Sequence, residues 1–225
     1  VPLRRLVSGW QMPAALAASP PVWPSQGKAE ALEFDWAGRW TRQVGTVVHR
    51  WLQELAEQGG ASLDAASPET LAPPIERQLQ HLGVSLRYLE RARDRVIAAL
   101  QACLADATGR WVLSAEHEQS SAELAIAEVD GAGFRALRVD RSFVTADGVR
   151  WIIDYKTGAH EGRDVDLFVA SEVERYGPQL RDYRDAIRAL DPDRPIRTAL
   201  YFPLLQRLEE VPADPVETAA VVSSE

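Results

Sequence analysis

The 225-residue chain is 46% apolar, has seven tryptophans and carries a formal net charge of −8, which suits one sizeable domain with appendages. No apolar run is long enough to span a bilayer and no basic-then-apolar N-terminal pattern marks a signal peptide, so the composition predicts a cytoplasmic protein with no membrane partner. Cys103 is the only cysteine, which excludes a disulfide framework, a zinc knuckle and a cysteine-ligated iron–sulfur cluster.

The acidic balance argues against a free-standing nucleic-acid binder, whose footprint is usually basic. The charge is uneven, however. Residues 135–207 carry 13 Lys+Arg against 12 Asp+Glu, and a bound divalent metal would push that half positive. No G-x-x-x-x-G-K-[ST] occurs, so no ATP site is expected on this chain. The start at Val1 reads as a segment cut from a longer protein.

In chain order, residues 1–38 hold Pro13, Pro20, Pro21 and Pro24 among Ala and Ser and read as a linker or extended arm. Residues 39–58 read as an amphipathic helix ending at Gly59-Gly60, with Gly45, Val48, His49, Leu52 and Leu55 on one face. Gly45 lies one turn before His49, so another backbone can approach there. On this segment alone His49 reads as a core histidine, since a lone histidine carries no motif. Residues 60–75 read as a loop. A helical segment of about 76–107 follows, its leucine stripe broken near Gly83.

Trp111–Gln119 and Ala122–Val129 read as two strands joined by a turn at Ser120-Ser121. Glu116 and Glu118 share a face of the first, and serve equally as a further acid for a metal site or as a solvent-facing edge.

Leu137–Thr157 reads as a β-hairpin turning at Ala146-Asp147-Gly148. A two-residue loop would set Asp140 opposite Tyr155. A three-residue loop with Gly148 in the left-handed region sets Asp140 opposite Asp154 and Phe143 opposite Trp151. The second register is preferred, because it pairs two aromatics and groups the polar side chains. Alternation puts Asp154 and Lys156 on one face, with Trp151, Ile153 and Tyr155 on the other. Facing carboxylates repel unless a cation lies between them.

A polar loop over His160–Asp166 leads to a helical region from about Leu167, restarted at Gly177-Pro178. Gln179 and Tyr183 then lie one turn apart near a helix N-terminus, which favours phosphate, or else on an ordinary amphipathic helix. Arg197–Pro203 is the last strand. Residues 209–225, rich in Pro, Ala, Glu and Ser, read as a disordered tail. The order of elements predicts an α/β (α+β) fold, a central mixed sheet flanked by helices with an extra helical segment.

Four pieces together carry a resemblance: G-T-V-V-H (Gly45–His49), V-D-R-S-F around Asp140, I-I-D-Y-K-T-G (Ile152–Gly158) and R-Y-G-P-Q-L-R-D-Y (Arg175–Tyr183). Over about residues 40–203 the chain resembles the C-terminal nuclease domain of RecB- and AddA-type helicase–nucleases, within the PD-(D/E)XK nuclease superfamily. The resemblance implies a restriction-endonuclease-like core over residues 39–208. It implies that His49, Asp140, Asp154 and the Tyr155 backbone carbonyl ligate Mg²⁺ or Mn²⁺, that Asp140, Asp154 and Lys156 form the catalytic set, and that Gln179 and Tyr183 stand beside the substrate. Arg138, Arg141 and Arg181 are added as phosphate contacts, and Glu116 or Glu118 as an upstream acid. The implied activity is DNA phosphodiester hydrolysis by an exonuclease acting in repair and recombination. The implied partners are DNA, as single-stranded ends, and the helicase domain of a parent chain. The competing reading is a catalytically silent docking module on the same fold.

Overall fold

The computed structural model describes residues 29–58, 68–130, 133–158 and 164–212. The arm over residues 1–28, the loop 59–67, most of the His160–Asp166 loop and the tail from 213 lie outside the described residues. Two units divide the chain, Val1–Ala37 and Gly38–Glu225. Of the first, only the opening residues of helix α1 are described.

Helix α1 spans Ala29–Glu57, beginning ten residues before the helix expected from position 39. Helix α2 (Pro68–His81) occupies half of what reads as loop in the sequence, and α3 (Leu86–Ala105) follows. Leu71, Ile75 and Leu79 of α2 and Val96, Leu100 and Cys103 of α3 are buried with Val48, Leu52 and Leu55 of α1.

The expected strand at Trp111 is corrected. Residues Ala107–Leu113 form helix α4. Asp106 caps it by accepting the Thr108 and Gly109 N–H groups at 3.2 and 3.0 Å, satisfying donors that a helix start leaves open. Trp111 then packs edge-on against Phe143 and Trp151, with ring centroids 5.1 and 5.3 Å away. A short apolar run suits helix or strand equally, and here the cap and the aromatic packing select the helix.

Ser120-Ser121 is likewise not a turn. Strand β1 runs through it from Glu118 to Asp130, with a register irregularity between Glu118 and Ser121. Strand β2 is Gly133–Val144, β3 is Arg150–Tyr155 and β4 is Ile196–Phe202. A 3-10 turn at Pro203–Leu205 leads to β5 (Arg207–Val211). Glu209–Val211 therefore belong to the sheet rather than to the tail expected from 209.

The sheet order is β1-β2-β3-β4-β5. All neighbours are antiparallel except β3 and β4, which are parallel. The crossover between them is helix α5, Val165–Leu190, capped by Asp164. Gly177-Pro178 does not restart it. Pro178 removes one intrahelical hydrogen bond, and buried Val169, Leu180, Tyr183 and Ile187 on either side hold the helix on the sheet.

The mixed sheet with helices on both faces bears out the expected restriction-endonuclease-like core. One face carries Phe143, Trp151, Ile153, Tyr155 and Tyr201 against α1–α4. The other carries Val139, Ile152, Leu200 and Phe202 against α5.

Candidate active site

The site lies in the fork where β2 leaves β3. Gly148 has φ +82°, and the turn it makes possible sets Phe143 opposite Trp151 and Arg141 opposite Ile153. This is the preferred register. The ladder stops at Arg141–Ile153, one pair short of Asp140–Asp154. There the Asp140 side chain replaces the strand: its Oδ2 accepts the Tyr155 N–H at 2.8 Å. A carboxylate thus continues a backbone ladder, and Oδ1 is left to face the site.

His49 reaches that oxygen from α1, with Nδ1 3.3 Å from Asp140 Oδ1. Its ring meets Tyr155 edge-on at 5.8 Å. Gly45 makes the approach of α1 possible. A Cβ built there lies 3.0 Å from Thr157 Oγ1, tighter than most side chains tolerate.

A third candidate ligand comes from β1. Glu123 has φ +54°, a left-handed conformation that is costly for a non-glycine residue. Its neighbours Ala122 and Leu124 pair with Arg141 and Val139, so Glu123 stands across from Asp140. One ligand atom each of His49, Glu123 and Asp140 lies within 4.8 Å of the others.

Asp154 and Lys156 complete the β3 side. Lys156 Nζ is 2.6 Å from Asp154 Oδ2, and Gln179 Nε2 donates to Asp154 Oδ1 at 3.4 Å and to the Tyr183 hydroxyl. Tyr176 covers Lys156, with Nζ 3.2 Å from its ring centroid. Tyr176, Gln179 and Tyr183 are three and four residues apart, so they share one face of α5.

The charges are under stress. Burial, then the neighbouring Asp140 charge, pushes the Asp154 carboxyl up to about 6, against the pull of Lys156 and His49. At His49 burial favours the neutral ring, but the Asp140 hydrogen bond and the charges of Asp140 and Asp154 outweigh it and raise the pKa. Burial raises the Tyr183 hydroxyl, with the Gln179 hydrogen bond opposing.

This donor set fits a hard divalent cation. Glu123 Oε2 and Asp154 Oδ2 are buried, and each faces a cationic side chain, Arg138 at 3.2 Å and Lys156 at 2.6 Å. Three carboxylates gathered beside an imidazole carry more negative charge than these two cations offset, and such a donor set suits Mg²⁺ or Mn²⁺. His49, Glu123, Asp140 and Asp154 are the residues that could hold it.

The structure therefore brings together His49, Asp140, Asp154, Lys156, Gln179 and Tyr183, with Tyr155 between them at the end of β3. Exposed Arg138 stands at the rim on Glu123.

Other expected contacts are corrected. Arg141 is 1% exposed and faces away from the site. It donates to Val112 O, Ser120 Oγ and Ser114 O at 2.7–2.8 Å, binding α4 and the start of β1 to the sheet. Arg181 lies back along α5, with Nη1 3.4 Å from the place of a Gly177 Cβ. Two positions from Gln179, it projects from another side of the helix. Gln179 itself is mid-helix, so no helix N-terminus serves it. Glu116 and Glu118 line an open cavity of about 700 Å³ with Trp111, His117 and Asp147. Five residues of strand, roughly 16 Å, separate Glu118 from Glu123.

The reading of the sequence missed Glu123 and Tyr176. Glu123 becomes visible once β1 is aligned antiparallel to β2. Tyr176 shows its signal in the spacing with Gln179 and Tyr183.

A family model described as the PD-(D/E)XK nuclease superfamily matches residues 29–223. No curated protein matches the chain. Among solved structures, protein VC1899 from Vibrio cholerae is similar at 14% identity with a TM-score of 0.24, over 75% of this chain and 53% of that one. The chain thus spans about half the length of that protein. No single described helix is long and apolar enough to cross a membrane.

Proposed function

The chain belongs to the PD-(D/E)XK nuclease superfamily, whose members are generally metal-dependent nucleases, and from that premise we propose that it hydrolyses DNA phosphodiesters. The observation that carries the reading is the convergence of His49, Glu123 and Asp140 within 4.8 Å beside the Asp154–Lys156 pair. Three separate elements deliver acids and an imidazole to one point, and a positioned ammonium stands next to them. A docking module has no need for that arrangement, and electrostatic stress of this kind concentrates at functional sites.

Each residue has a role in this reading. His49, Glu123, Asp140 and Asp154, with the Tyr155 carbonyl, hold the cation, Mg²⁺ or Mn²⁺. When bound, it supplies Lewis acidity that neutralises phosphate charge and eases deprotonation of water. Lys156 directs its ammonium at the attacked phosphate and offsets the charge that grows there. Gln179 holds the Asp154 carboxylate and the Tyr183 hydroxyl in one arrangement. Tyr183 at the site and Arg138 at the rim contact the nucleic-acid strand.

At the finer level the reading is an exonuclease of the RecB/AddA type, acting on single-stranded ends in DNA repair and recombination beside a helicase domain. The support is the run of four sequence pieces and the placement of Gln179 and Tyr183 against Asp154.

The test is cleavage of end-labelled single-stranded DNA with Mg²⁺, Mn²⁺ or EDTA, beside Lys156→Ala. Metal-dependent shortening from one end, lost in the variant, is the expected result. Cleavage by Lys156→Ala at the wild-type rate overturns the assignment. Protein that binds DNA and metal but never cleaves it favours the docking module.

A further inference from the structure

We infer that Tyr176 is the positioning residue for Lys156: its ring face is the anchor that keeps the ammonium aimed at the site. Lysine is a compact charge on a flexible four-carbon stem, and a reaction that needs the charge at one point needs the stem held. Among the described residues two contacts hold it. One is Asp154 Oδ2 at 2.6 Å; the other is the Tyr176 ring, with Nζ 3.2 Å from the centroid. Only 13% of the Lys156 side chain is exposed, and a cation–π contact is strongest when desolvated.

The two anchors differ in what can release them. A carboxylate loses its hold when it is protonated or binds another cation, whereas a ring face attracts the charge through its quadrupole and has no proton to gain. Asp154 is also a candidate ligand, and a carboxylate engaged elsewhere holds Lys156 less firmly. The ring is the contact that persists. The same face of α5 carries Gln179, which holds Asp154, so one helix fixes both members of the pair. Arg175 cannot take the place of Lys156: its guanidinium carbon is 5.2 Å from the Tyr176 centroid, but the side chain is 70% exposed beside Glu172.

The role in turnover rests on the nuclease reading, whereas the contact does not, and the experiment separates them. Lys28 and Lys156 are the only lysines in the 225-residue chain, so this chain labelled with ¹³Cε,¹⁵Nζ-lysine gives two side-chain signals, assigned with Lys28→Arg. A proton beneath a ring face is shifted upfield. The expected result is an upfield-shifted Lys156 ε-methylene that persists in Tyr176→Phe and returns to the free-lysine position in Tyr176→Leu. On single-stranded DNA, Tyr176→Phe keeps kcat, and Tyr176→Leu lowers it roughly tenfold with little change in KM. Wild-type protein with both lysine signals at the free-lysine position overturns the inference, whatever the rates do. So does a Tyr176→Leu that raises KM and spares kcat, which marks the ring as a base-stacking platform. A wild-type protein that cleaves nothing counts against the nuclease reading alone, and the spectra still decide the contact.

Discussion

Asp154→Asn should stabilise the metal-free protein while it destroys the site. The folded protein holds the Asp154 proton up to about pH 6, against 3.8 for the free side chain. Between those values the folded state binds more protons than the unfolded one, so stability falls as pH climbs through the window. At about 1.4 kcal/mol per pH unit, the gap corresponds to roughly 3 kcal/mol of lost stability above pH 6. Asparagine keeps the shape without the charge and escapes that loss. His49 titrates nearby with its pKa raised, so its stabilising charge is present at low pH and lost as pH rises, in the same direction. Urea unfolding followed by tryptophan fluorescence in EDTA should show the variant about 1 kcal/mol more stable than wild type at pH 4.5. At pH 8 it should be more stable by up to about 3 kcal/mol. Mn²⁺ at about 1,000 times Kd should reverse the order, because a ligand at that excess adds roughly 4.1 kcal/mol to the form that binds it. A variant no more stable than wild type at pH 8 in EDTA would refute the claim that burial and Asp140 strain this carboxylate.

Other expectations follow from the same geometry. Arg141→Met should lose roughly 3 kcal/mol of stability, since the buried Val112 carbonyl and two half-buried contacts to Ser114 and Ser120 forfeit a charged donor. Its DNA affinity measured on folded protein should match wild type; weaker binding would return Arg141 to the list of phosphate contacts. Glu123→Gln should weaken Mn²⁺ binding at least tenfold by calorimetry, while Glu116→Gln and Glu118→Gln leave it unchanged, and equal effects from all three would break the distinction. Gly45→Val should separate α1 from Thr157 and weaken metal binding through His49, with Tm lowered as well. Unaltered affinity would show that the close approach plays no part in placing the histidine.

Much of this site was legible because its signals are local. Asp-Gly between two β-rich runs fixes a hairpin, and pairing Phe143 with Trp151 selects a register. That register already places Asp140 near Asp154. Gly45 four residues before His49 marks a helix face open to close contact. The failures have a common cause, which is that tertiary contacts decided them. Trp111 stands in a run that suits either element, and its helix depends on Asp106, Phe143 and Trp151. Pro178 reads as a helix start, yet buried residues on both sides carry the helix through it. Arg141 looks like a phosphate contact in an arginine-rich strand. Its face of the sheet turns it inward, to three acceptors between positions 112 and 120. Glu123 is hidden in a polar stretch, and only its left-handed backbone directs it at Asp140.

The fork between β2 and β3 ties chemistry to architecture. Asp140 lends one oxygen to the Tyr155 amide, so on that oxygen it acts as a piece of backbone and cannot grip a cation with both. Whatever charge arrives on the other oxygen is felt along a strand. A drained or protonated carboxylate accepts a weaker bond, and the end of β3 loosens by the same event that changes the site. The Tyr155 amide hydrogen thereby becomes a natural gauge, its exchange with solvent rising and falling with the state of the acid that holds it.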